Sequence, residues 1–130
     1  MKYLLDTNTI SFAIRGVGRV GERLRQADPK DVALSVVTEA ELWFGVEKRG
    51  SVRLRQSVEA FLSGVTILEY NRAAAREYGR VRALLERRGR PIGIHDTMIA
   101  AHALSQGLTL VTNNGKHFRR VRGLDSEDWL

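Results

Sequence analysis

The sequence predicts an α/β fold built around a mostly parallel sheet of four or five short strands. Two observations carry that expectation. Short apolar runs alternate along the chain with longer amphipathic stretches, as buried strands and their crossover helices do. Turn signals fall between the runs, and the only prolines, Pro29 and Pro91, sit in polar connections. With 130 residues, 43% apolar and 28% charged, the chain has the length and composition of one globular domain, residues 1–130.

Taken in order, Tyr3-Leu4-Leu5 reads as the first strand and Asp6-Thr7-Asn8 as the turn that follows it. Residues 8–26 have helical spacing. Within them Gly16-Val17-Gly18-Arg19-Val20-Gly21 is a literal GxGxxG. That fingerprint binds dinucleotides only where it directly follows a strand, and here helical sequence intervenes, so it reads as a turn between helices. Val32-Ala33-Leu34 is the second strand, and 37–63 is again helical in spacing. Val65-Thr66-Ile67-Leu68 forms a third strand, then 71–89 and 96–106 are helical, with Gly107 placed as a C-terminal cap. Leu108-Thr109-Leu110-Val111 is the fourth strand, followed by Thr112-Asn113-Asn114. Ligands of open α/β sheets bind beyond the carboxyl ends of the strands, and polar and acidic residues collect at those ends here.

Composition excludes much. Cys is absent, so thiol catalysis, iron–sulfur ligation and Cys-based zinc sites are ruled out. No apolar run approaches the ~20 residues of a membrane span, and a cytoplasmic protein is expected. No Walker motif or nucleophile elbow is present. His95 and His102 lie about 10 Å apart along one helix, too far to share an ion. The net charge is +6, and 17 of the 21 basic residues are Arg, whose planar donor fork suits phosphate. Seven Arg face two Glu between Asn71 and Arg90. Arg72, Arg76 and Arg80 fall on one helical face, either as an RNA-binding stripe or as a solvated surface with pairs such as Arg82–Glu86.

Three acids stand apart from the rest. Asp6 ends an apolar strand, where it serves either as a helix cap or as a ligand. Glu41 completes Thr38-Glu39-Ala40-Glu41, a capping-box pattern, yet it also borders the apolar stripe of Val37, Ala40 and Phe44 and could face a cleft. Asp96 heads the stripe of Ile99, Ala100, Ala103 and Leu104, so its carboxylate must be capping, paired or holding a metal. If the three converge, mutual repulsion calls for a cation. All-oxygen ligands suit Mg²⁺ or Mn²⁺, ions that promote phosphodiester hydrolysis.

Leu4-Leu5-Asp6-Thr7-Asn8, Thr38-Glu39-Ala40-Glu41-Leu42-Trp43-Phe44-Gly45, His95-Asp96-Thr97-Met98-Ile99-Ala100 and Val111-Thr112-Asn113-Asn114, in this order, resemble PIN-domain proteins, and among them the VapC toxins of toxin–antitoxin pairs. The resemblance runs to Glu127-Asp128-Trp129. It implies a three-layer α/β/α domain and an endoribonuclease dependent on Mg²⁺ or Mn²⁺ that cuts structured RNA, tRNA or rRNA, and inhibits translation. It makes Asp6 and Asp96 direct metal ligands and Glu41 a ligand directly or through water. Thr7, Asn8 and Thr112 take supporting positions. It also implies a homodimer and a VapB-type antitoxin laid across the groove, where Trp43 and Phe44 offer apolar surface. Many members carry a fourth acid where this chain has Asn114, which lowers the charge of the site. With the Arg stripe, this makes an RNA-binding module without catalysis the alternative reading, and a flap-cutting DNA nuclease lacks its helical clamp here.

Overall fold

A computed structural model describes residues 1–130. Its elements run β1 (Tyr3–Leu5), α1 (Thr7–Arg15), α2 (Val20–Gln26), a 3₁₀ turn (Pro29–Asp31), β2 (Val32–Ser35), α3 (Val36–Arg49), α4 (Val52–Ser63), β3 (Thr66–Leu68), α5 (Arg72–Arg87), α6 (Ile94–Gln106), β4 (Thr109–Val111), α7 (Gly115–Phe118) and β5 (Ser126–Glu127). The strands form one sheet in the order β3-β2-β1-β4-β5. Every pairing is parallel, with Leu5 opposite Leu34 on one side and Val111 on the other.

The strand sequences explain the three layers. Side chains alternate between sheet faces, so Leu4, Ala33 and Leu110 join the core under α5 and α6, with Val81, Leu85, Ile99 and Ala103. Their neighbours Leu5, Leu34 and Val111 join the opposite core with Ile10, Val20, Leu42 and Val58 from α1 to α4. The expected α/β/α architecture is thus present, with the full five strands. No helix is long and apolar enough to cross a membrane.

Two long helical stretches are divided. Residues 8–26 give two helices because Gly16 closes α1 at φ +70°, a left-handed conformation that is costly for other residues. The GxGxxG segment accordingly spans a helix–helix turn and the start of α2. Residues 37–63 break likewise at Gly50, φ +63°, after which Ser51 caps α4 by accepting the Leu54 N–H at 3.1 Å. An amphipathic stripe running through both breaks conceals them from a periodicity reading.

Chain order places the site. From β1 the sheet grows outward through β2 and β3, then returns to the other side of β1 for β4 and β5. The carboxyl ends of β1 and β4 therefore flank the point where the winding direction reverses, the usual position for a ligand crevice in such sheets. Asp6 follows β1 at that point, and its backbone N–H donates to the Val111 carbonyl at 3.1 Å.

Candidate active site

A cleft of about 270 Å³ opens at this edge, lined by Asp6, Thr7, Asn8, Val37, Glu41, His95, Asp96 and Ile99. Each acid arrives on a different element for a local reason. Asp6 is only 8% exposed, and its Oδ1 accepts the Thr9 N–H at 2.8 Å as the cap of α1. Capping and lining the cleft are therefore not alternatives for Asp6. One oxygen does the first, and the second oxygen is left over.

Glu41 does not close a capping box. β2 runs straight into α3, so Ser35 takes the cap position, its Oγ accepting the Val37 N–H at 3.1 Å. The Thr38 hydroxyl is buried without a partner. Glu41 is thereby two turns into α3, facing the cleft, with Oε1 2.7 Å from His95 Nδ1. Asp96 lies in the first turn of α6, and its Oδ2 is 3.0 Å from His117 Nε2. Burial pushes the Asp96 carboxyl above its ordinary value. His117 draws it back, Asp6 pushes it up again, and His95 opposes. Two carboxylates that feel one another across a partly buried cleft store electrostatic repulsion.

Of the residues expected at the site, the fold brings together Asp6, Thr7, Asn8, Glu41 and Asp96. Thr112 and Asn114 line an adjoining polar hollow with Lys116, Arg119 and Glu127. Thr112 is buried and its Oγ1 accepts the Asn114 N–H at 3.0 Å, so both residues shape the turn beyond β4. The Arg stripe lies elsewhere. α5 packs antiparallel to α6, since Arg76 and Arg80 share a hollow with Ser105 whereas Arg82 and Glu86 share one with Ile94 and Thr97. Ser105 is about 13 Å along α6 from Asp96 at 1.5 Å per residue. Arg72 opens α5, and Arg80 pairs with Glu77 at 2.6 Å. Trp43 packs against the α1–α4 core, while Phe44 stands 64% exposed one turn beyond Glu41. His117 lies in none of the motifs, and His95 enters one only as the neighbour of Asp96. Only the fold discloses their contacts with acids on other segments.

The donor set suits a hard divalent cation: oxygen ligands, concentrated negative charge and a raised Asp96 that a cation would relieve. As the side chains stand, no three acidic or histidine groups are drawn together tightly enough to enclose an ion. Glu41 instead leans toward His95 and Asp96 toward His117.

Comparison with known proteins agrees with this geometry. The PIN domain family matches residues 3–124. The chain is 44% identical to a tRNA(fMet)-specific endonuclease VapC from Shigella flexneri, across 99% of this chain and 98% of that protein. Among solved structures it is similar to DNA-bound VapBC from Salmonella typhimurium, with a TM-score of 0.91, 40% identity, and 100% and 99% of the two chains covered. VapBC2 from Rickettsia felis, bound to a DNA fragment from their promoter, gives a TM-score of 0.91 at 34% identity over both full chains. The chain belongs to the PIN-domain family, as a VapC-type member.

Proposed function

We propose that this protein is the ribonuclease toxin of a VapBC-type pair, cutting structured RNA by a reaction that requires Mg²⁺ or Mn²⁺. The observation that carries the reading is the convergence of Asp6, Glu41 and Asp96, from three separate segments, on one cleft at the winding reversal of the sheet. Full-length similarity to a tRNA(fMet)-specific endonuclease supports it and makes initiator tRNA the first substrate to test.

Asp6 and Asp96 would hold the cation through the oxygens left free by their protein contacts, with Glu41 binding directly or through water. When bound, the cation supplies charge stabilisation at the phosphodiester and an activated water. The protein provides the rest. The capped start of α1 holds Asp6 rigid, and Thr7 and Asn8 present a hydroxyl and an amide at the mouth of the cleft, where a phosphate oxygen can be bound. Exposed Phe44 and Ile94 give this rim an apolar border, suited to a VapB-type antitoxin segment. The alternative of a non-catalytic RNA-binding module rests on the neutral Asn114 and the Arg stripe; it has less support, because both lie outside the cleft where the three acids meet.

The test is cleavage of initiator tRNA and of total RNA by protein freed of any inhibitor, beside Asp96→Asn, in Mg²⁺, Mn²⁺ and EDTA. Discrete fragments that require both the ion and Asp96 are expected. Binding without cutting under every condition would replace the nuclease with the binding module.

A further inference from the structure

We propose that His117 is a positioning residue, whose Nε2–H is shared between the Ile92 carbonyl and the Asp96 carboxylate and fixes how Asp96 presents itself to a cation. The proposal rests on the metal-dependent reading above.

His117 Nε2 lies 2.7 Å from the Ile92 carbonyl oxygen and 3.0 Å from Asp96 Oδ2. A carbonyl oxygen can only accept. The nitrogen facing it must therefore carry hydrogen, whether the ring is neutral or charged, and the tautomer follows from the contact. One N–H thus faces two acceptors. The first, on buried Ile92, anchors the ring to the loop before α6. The second is a carboxylate oxygen of the proposed site.

The surroundings explain why a latch is placed here. α6 begins at Gly93 with no capping side chain, so its first turn lacks the side-chain cap that Asp6 gives α1. His117 reaches that turn from another element, α7. Its ring meets buried Phe118 edge-on, centroids 5.8 Å apart, and its backbone N–H donates to the Asn114 carbonyl at 3.1 Å. The backbone of Asn114, in the turn where the family resemblance expects a fourth acid, thereby helps to place a hydrogen-bond donor beside Asp96. The two acids become equivalent in form. Asp6 commits Oδ1 to the Thr9 N–H and Asp96 commits Oδ2 to His117, and each keeps one oxygen for the cleft. Partners behind a ligand commonly set its orientation and basicity.

Three variants and two readouts test this. His117→Ala removes the donor. His117→Phe removes it while keeping an aromatic ring beside Phe118, and so stands in should the alanine chain not fold. His117→Gln returns an amide donor at similar reach. Mn²⁺ binding is measured directly by the paramagnetic signal of the free ion, without RNA, and kcat and KM for RNA cleavage are measured separately. Loss of the donor should raise the Mn²⁺ concentration for half-saturation by about 10- to 100-fold, lower kcat at limiting Mn²⁺, and leave KM for RNA within about twofold. His117→Gln should recover most of both. Wild-type Mn²⁺ affinity in His117→Ala or His117→Phe overturns the proposal, as does a glutamine variant no better than alanine with thermal stability lost equally. A wild-type protein that binds no Mn²⁺ overturns the metal-dependent reading itself, and this proposal with it.

Discussion

Changing Asp6 to asparagine and, separately, to alanine divides its two carboxylate oxygens by task. Oδ1 caps α1 at 2.8 Å from the Thr9 N–H in a buried setting. Both variants remove the charge, and with it the repulsion toward Asp96. Only alanine also removes the cap, since asparagine is a good cap in its own right. The difference between them therefore isolates the capping bond, about 1–2 kcal/mol for a buried case. Unfolding entropy of roughly 2.1 cal/mol/K per residue, over 130 residues, converts this to a Tm about 4–7 °C lower for Asp6→Ala than for Asp6→Asn. RNA cleavage should fall by at least about a hundredfold in both, beyond what partners behind a ligand carry. Circular-dichroism melts in EDTA and single-turnover cleavage of labelled tRNA measure the two effects. Asp6→Asn cutting at the wild-type rate would refute its role as a ligand, and coincident melts would refute the cap.

Glu41→Gln should abolish cleavage while leaving Tm within about 2 °C, because Glu41 closes no helix cap; a fall in Tm beyond that range would show that its contact with His95 is structural. Saturating Mn²⁺ at 100 times its Kd should stabilise the wild type by about 2.7 kcal/mol, seen as a rise in urea midpoint that Asp96→Asn lacks; equal rises in both would place the ion elsewhere. His102 is fully buried, and burial lowers its pKa from 6.5. A depressed value means the unfolded chain takes up the proton first, so stability present above about pH 6.5 declines as pH falls through the lowered value. Urea midpoints at pH 8 and 5.5 should show that decline, reduced in His102→Phe; an identical pH dependence in the variant would exclude His102 as its source. Reversing Arg76 and Arg80 to Glu should weaken RNA binding and flatten its salt dependence. An unchanged slope would leave them as a solvated face with the Arg80–Glu77 pair.

How much could be read from the chain alone depended on how local the determining physics was. Leu4-Leu5-Asp6 announces a buried strand and a polar turn within three residues, and the sheet edge follows from it. Asp96 was legible because an acid leading an apolar stripe needs a partner. Glu41 was ambiguous, since a capping box and a cleft-facing acid share one pattern; Ser35, one residue beyond the apolar strand run, decides the matter by starting the helix early. The direction of α5 was not legible at all. Arg72, Arg76 and Arg80 share a face by spacing, but only packing against α6 shows that this face runs toward Ser105 and away from Asp96. His117 left no trace either, because its partners lie 21 and 25 residues away in sequence and meet it through tertiary folding.

The sheet order also has a consequence for timing. β1 is the central strand, and its carboxyl end is held by the β4 backbone: the Thr9 hydroxyl donates to the Val111 carbonyl across 102 residues of sequence. Trp129 then closes over Tyr3, ring centroids 5.0 Å apart, and the Arg23 guanidinium lies 5.0 Å from the centre of the Trp129 ring. A ribosome therefore releases Asp6 early and β4, the strand that seats it, only near the end of the chain. Such long-range closure is slow by nature, and the nascent chain carries its acids on unconnected pieces until translation of this segment has finished. Synthesis order by itself therefore delays assembly of the cleft until β4 has emerged to pair with β1.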